Sequence, residues 1–236
     1  MSFVVPSEAY ARFMGRYAEP LSGVFAQFAD IGAGTRVLDV GCGPGALAAH
    51  LRSIGVEVAA IDPSPPFVEA IRRRLPDVDV RRGTAEELPY GDAAFDAALA
   101  QLVVHFMADP VAGIRQMARV TRPGGVVAAC VWDGPTGALA PFWDAVHVLD
   151  PDAEDEALLS GAHRGHLTRL FTDAGLRRVH EEAIAVDVVH PTFDEWWEPY
   201  TLGVGPAGDY VRQLDDDARS ALAGVARESL GAGPFT

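Results

Sequence analysis

The segment VLDVGCGPGALAAHL, residues 37–51, constrains this chain more than any other stretch. The preceding run TRVLDV (35–40) reads as a strand, and Gly41 and Gly43 follow it at once. A helix from about Pro44 to Ile54 then sets Leu47, Leu51 and Ile54 on one face, with Gly55 placed to end it. A strand that runs through a glycine turn into a helix is the opening unit of an α/β layer. Such layers bind ligands outside the carboxyl ends of their strands.

The same alternation continues for a hundred residues. Strands are expected over 56–61, 78–81, 95–100 and 126–131. Between them, Ser64 and Pro65 open one helix and Asp109 and Pro110 another, while Arg122-Pro123-Gly124-Gly125 reads as a turn. This pattern implies an open, doubly wound, mostly parallel sheet with right-handed crossovers. Residues 1–34 read as helical, with Phe13, Leu21, Val24, Phe25 and Phe28 among charged neighbours. Helices are expected over 138–149, 164–174 and 215–230, and a sixth strand over 177–190, which leaves almost no residues for a seventh. The 236 residues, 49% of them apolar, fit a single domain: N-terminal helices (1–34), a ligand-binding core (35–132) and a C-terminal helical cap (133–236).

Charge narrows the partners. The chain carries 19 basic residues, all arginine, against 33 acidic ones, a net −14. Phosphate neutralisation favours the opposite sign, so nucleic acid and anionic membranes are poor partners, whereas a cationic small ligand is welcome. The absence of lysine excludes Schiff-base and P-loop lysine chemistry. Arg72, Arg73, Arg74, Arg81 and Arg82 read as a solvated face. Cys42 and Cys130 make no disulfide framework, and no segment has the apolar length of a signal peptide or membrane span. A cytoplasmic protein, monomeric or homodimeric, is expected. The seven histidines show no metal-ligand spacing, so no metal is expected.

Two cofactor readings meet at the glycine turn. Gly41, Gly43 and Ala46 satisfy G-x-G-x-x-A, the pattern of a dinucleotide fold. Asp39, two positions before the first glycine, would repel a pyrophosphate but suits an ammonium or sulfonium. Pro44 removes an N–H where a phosphate would seek one. Asp62, at the end of the second strand, can accept both hydroxyls of a ribose and so serves either cofactor.

The remaining motifs separate them. VLDVGCGPG, AAIDPS, GTAEELP, FDAALAQ and RPGG, in this order over residues 35–132, resemble the class I S-adenosylmethionine (SAM) methyltransferases. Within that class the chain is similar to the small-molecule branch that includes ubiquinone and menaquinone C-methyltransferases. The N-terminal YARFMGRYAEPL and the late FDEWWEPY look like a bacterial subset of that branch. The resemblance implies a Rossmann-like α/β fold and SAM as cofactor, with S-adenosylhomocysteine (SAH) as product. It also implies roles. Gly41, Cys42 and Gly43 would approach the methionine moiety, with Asp39 at its ammonium. Asp62 would hold the ribose, Pro63 and Phe67 would pack on the adenine, and Thr84, Ala85 and Glu86 would meet the adenine edge. Gln101 would lie along the cofactor, and Arg16 and Tyr17 would close over its carboxylate end. An ordinary core residue of its helix is the competing, less favoured reading of Phe67.

Methyl transfer from a sulfonium needs alignment more than acid–base chemistry, and a base only when the acceptor is protonated. His105, just after the fourth strand, is the candidate base; a structural histidine is the competing reading. Trp132 would face the substrate, with Tyr10 and Phe13 lining the same cleft from the N-terminal helix. Trp196, Trp197 and Tyr200 form either a substrate wall or a satellite core. A small, apolar or aromatic acceptor fits best. An NAD(P)-dependent oxidoreductase and a non-catalytic SAM-binding protein are the alternatives.

Overall fold

The structure, a computed structural model, describes residues 5–134 and 136–236. Five parallel strands form one sheet: β1 (Arg36–Val40), β2 (Glu57–Asp62), β3 (Asp79–Arg82), β4 (Phe95–Gln101) and β5 (Thr121–Cys130). Their spatial order is β3-β2-β1-β4-β5. The central strands are sealed on both faces, which is why β1 is buried throughout after Arg36 and reads as a nearly unbroken apolar run. Side chains alternate between two cores. Val37 and Val58 join Phe25, Leu47, Leu51 and Ile71, beneath α2 (Arg16–Phe28), α3 (Ala46–Ser53) and α4 (Pro65–Arg74). Leu38 and Val40 join Ile114, Met117 and Phe171 on the other face, beneath α5 (Pro110–Val120) and α7 (His166–Asp173).

The N-terminal segment begins with α1 (Ser7–Tyr10), passes through a π turn (Ala11–Gly15) and continues as α2. The C-terminal part adds α6 (Ala140–Leu149), α8 (Phe193–Trp197), α9 (Gly205–Gln213) and α10 (Asp216–Leu230). Each expected strand of the core is present, and β5 begins earlier than its apolar run, at Thr121.

The sixth strand expected over 177–190 does not form. The segment turns Ile184 and Val186 onto the core but joins no ladder; only His190 makes an isolated antiparallel bridge, to Phe235. Alternation specifies which side of a segment faces the core. A strand also needs a neighbour's free backbone groups, and the segment does not pair with β5.

Candidate active site

Because β1 lies between β2 and β4, the chain leaves β1 and β4 in opposite directions, and a crevice opens at their carboxyl ends. The glycine turn forms one lip. Gly41 has φ +71°, and a Cβ there would sit 2.5 Å from both methyls of Val103, in the loop after β4. Only glycine lets the turn lie against that loop.

Two carboxylates face this crevice from buried positions. Asp39 is 1% exposed, and its Oδ2 has no hydrogen-bond partner among the described residues. Burial raises its pKa to about 7, the charge of Asp62 adds to the rise, and the Ala48 N–H opposes it. Asp62 accepts the Gly43 N–H at 2.9 Å and the Ser64 N–H at 2.8 Å. Those bonds only partly offset its burial, and its pKa rises to about 6. Each carboxylate oxygen of Asp62 keeps a lone pair to spare. Two buried acids with an unanswered oxygen suit a cation and hydroxyl donors, and they disfavour a pyrophosphate.

The other residues expected at the cofactor are placed unevenly. Cys42 is buried beside the turn, its thiol pushed well above its usual range by burial first and by Asp39 and Asp62 after it. Phe67 is buried and meets the ring of Tyr10 at 4.8 Å, and a Cβ on Gly43 would come within 3.7 Å of that same ring. Tyr10 therefore lies over the glycine turn. Ala85 is buried while Thr84 and Pro63 are exposed. The carboxylate of Glu86 accepts the Ala108 and Asp109 N–H groups, so it fixes the entry to α5. Gln101, two residues beyond Leu99, the register partner of Asp39, donates to the Ala18 carbonyl and the Ser22 hydroxyl of α2. Its Oε1 is buried without a partner among the described residues. Arg16 donates to the Glu195 carbonyl at 3.0 Å and lies 3.2 Å from His190 Nδ1, while Tyr17 Oη lies 3.3 Å from His190 Nε2. Those contacts fasten α2 to the C-terminal segment.

Two adjoining cavities lie on the far side of the crevice. One, of about 140 Å³, is lined by His105, Trp132, Trp143 and Glu156 among others. The other, of about 20 Å³, lies among Tyr10, Phe13, Leu102 and Phe106. Trp132, Leu139 and Glu156 line both. His105 is 9% exposed, and burial depresses its pKa to about 4, so the imidazole is neutral at pH 7. Trp196, Trp197 and Tyr200 line neither cavity. Trp196 and Tyr200 are buried in an aromatic cluster, where Tyr200 stacks on Phe142 at 4.5 Å.

Sequence reasoning passed over Glu156 and Trp143. Trp143 Nε1 donates to Glu156 Oε2 at 3.2 Å, and burial, aided by Asp155, raises the Glu156 pKa to about 7 against the opposing effect of that bond. The local run PDAEDEALL reads as an acidic surface loop, so no signal in it marks this carboxyl. Among the described residues no cluster of His, Cys, Asp and Glu could hold a metal ion, and no helix is long and apolar enough to cross a membrane.

Residues 38–129 match the family model described as a methyltransferase domain. An uncharacterized methyltransferase of Mycobacterium tuberculosis is 42% identical over 43% of this chain and 41% of its own. The demethylmenaquinone methyltransferase of Paenarthrobacter aurescens is 28% identical over 62% of this chain and 64% of its own. The chain thus spans less than two thirds of these curated relatives. The solved structure of the YcgJ protein of Bacillus subtilis shares the fold, with a TM-score of 0.58 at 21% identity over 84% of this chain and 86% of that one. Residues 38–129 thus carry a methyltransferase domain on a fold shared with YcgJ, and the chain is similar in sequence to a demethylmenaquinone methyltransferase over part of its length.

Proposed function

We propose that this chain transfers a methyl group from SAM to a small acceptor held between the glycine turn and the C-terminal cap. The observation that carries this reading is the unpartnered Oδ2 of Asp39, buried at the switch point of the sheet. An ammonium group is its natural complement. On this reading residues 35–132 hold the cofactor and 133–236 build most of the acceptor side.

The residues present fit that cofactor. Asp39 would pair with the ammonium of the methionine moiety, and Asp62 would accept the ribose hydroxyls. Phe67 would pack against the adenine, with the backbone at Ala85 along its edge. When bound, SAM supplies an electrophilic methyl group on a sulfonium, and the chain's own task is alignment and exclusion of water. Trp132 and Phe13 wall the acceptor side, Tyr10 covers the turn, and Gly41 and Gly43 let the backbone come close. Holding an acceptor against the methyl carbon can supply several kcal/mol, up to about 7–11, of the barrier. His105, neutral at pH 7, would accept a hydrogen bond from the acceptor.

Thermal unfolding with SAM, SAH and NAD(P)H in parallel tests the reading. A ligand at 100 times its dissociation constant stabilises by about 2.7 kcal/mol. The expected result is an upward shift with SAM and SAH and none with NAD(P)H. A shift with NAD(P)H alone would turn the assignment to an oxidoreductase. SAM binding without turnover on a broad acceptor panel would favour a binding protein.

A further inference from the structure

The larger cavity has a composition that the methyltransferase reading does not require. Trp132 and Trp143 form aromatic walls, Glu156 stands at the junction with the smaller cavity, and Asp155 adds a half-buried carboxylate. Asp133 and Asp144 lie exposed at its rim. Among the described residues no arginine lines it. Among the described residues the only basic side chain in the wall is His105, nine-tenths buried, whose imidazole makes no hydrogen bond to any of them.

From this arrangement we infer that the cavity binds an amine as its ammonium ion, and that Glu156 holds that ion and takes its proton before methyl transfer. The inference rests on the methyltransferase reading and names its acceptor class. Three observations converge on it. Indole faces and carboxylates together are the surroundings that stabilise a desolvated cation. Glu156 lines both cavities, so its carboxylate stands between the acceptor space and the side bearing Tyr10, Phe13 and Leu102, beside the glycine turn. Trp143 orients one oxygen through its N–H, which leaves Oε1 for the ligand.

The groups facing Glu156 agree. Asp155 accepts the Ala157 N–H through Oδ1, lies 3.7 Å from His147 Nε2 through Oδ2, and adds negative charge beside Glu156. The Tyr200 hydroxyl, close enough to feel the Glu156 charge, is neutral, and so is His105 at pH 7. Burial raises the Glu156 pKa to about 7, which matches a base working near neutrality. The chemistry balances with no further reactant. An N–H proton passes to the Glu156 carboxylate and leaves a lone pair on nitrogen. That lone pair forms the bond to the donor methyl carbon while the carbon–sulfur electrons stay on sulfur as a thioether. The proton on Glu156 then returns to water.

The test is calorimetric titration of the wild type and Glu156→Gln with 2-phenylethylamine and its uncharged isostere 2-phenylethanol, with and without SAH. Wild type is expected to bind the amine at least roughly tenfold more tightly than the alcohol, and Glu156→Gln to bring the two within about twofold. The thermal unfolding of Glu156→Gln is measured beside that of wild type, which separates a folding defect from loss of the charge. Equal binding of the two probes, no binding of the amine at millimolar concentration, or a preference that survives Glu156→Gln would each overturn the inference. SAH is titrated first. Loss of SAH binding would strike the methyltransferase reading, whereas the amine preference is read separately on the ligand-free protein.

Discussion

The crevice has two halves that were built differently. On the proposed cofactor side, Asp39, the glycine turn and Asp62 come from two adjacent strands and the short loops that follow them, separated by 21 residues between Gly41 and Asp62. Backbone geometry sets their positions, and the Gly43 and Ser64 N–H groups hold Asp62 directly. On the proposed acceptor side, His105, Trp132, Trp143 and Glu156 come from four separate segments and meet only through packing. A site made by local backbone geometry is sharply specified, whereas one made by distant side chains can change its ligand without disturbing the fold.

The contrast can be broken most forcefully in the C-terminal aromatic cluster. Trp196 is 2% exposed and packs on Tyr200 at 4.9 Å, so Trp196→Ala should cost about 3–5 kcal/mol of stability, measured by denaturant unfolding. A variant of undiminished stability that had lost acceptor turnover would instead move Trp196 to the acceptor wall.

Asp39→Asn should sharpen the comparison through a trade between binding and stability. Its affinity for SAM is expected to fall roughly 100-fold, about 2.7 kcal/mol, in a titration at pH 8. Stability should move the other way. The folded-state pKa of about 7 lies above the ordinary carboxylate value, so the folded protein holds a proton there that the unfolded chain releases. The contribution of this group to stability therefore falls as pH rises from about 4 to about 7. Ligand-free Asp39→Asn should melt above wild type at pH 8 and alongside it at pH 4. Equal melting curves at both values would mean that Asp39 ionises freely in the folded protein.

The smallest effect is expected at Tyr200. Its hydroxyl is buried with no hydrogen-bond partner among the described residues, and burial drives its pKa well above the ordinary value. Tyr200→Phe removes an unsatisfied group while keeping the stacked ring, so the change in unfolding free energy should lie within about 1 kcal/mol of zero or be stabilising. A loss of more than about 2 kcal/mol would reveal a partner for that oxygen, such as bridging water.

Much of this was legible in the chain. The five strands, their helices and the turn that positions Asp39 and Asp62 follow from apolar periodicity and glycine placement, because each is fixed by contacts among near neighbours. The segment 177–190 shows where that logic stops. Ile184 and Val186 face inward as alternation requires, yet the segment forms no ladder, since pairing depends on a partner edge that local sequence does not specify.

The sequence by itself determined a glycine turn flanked by two carboxylates at the head of a parallel α/β sheet. A buried carboxylate beside a glycine turn carries its own chemical meaning. The tertiary structure alone decided that the aromatic run 193–200 turns largely into the core, and that Glu156 leaves an apparent surface loop to face His105 and Trp132. The physical reason is desolvation. Whether a carboxyl or an indole is a surface group, a core member or a chemical tool depends on what excludes water from it, and that is settled by segments far away in the chain.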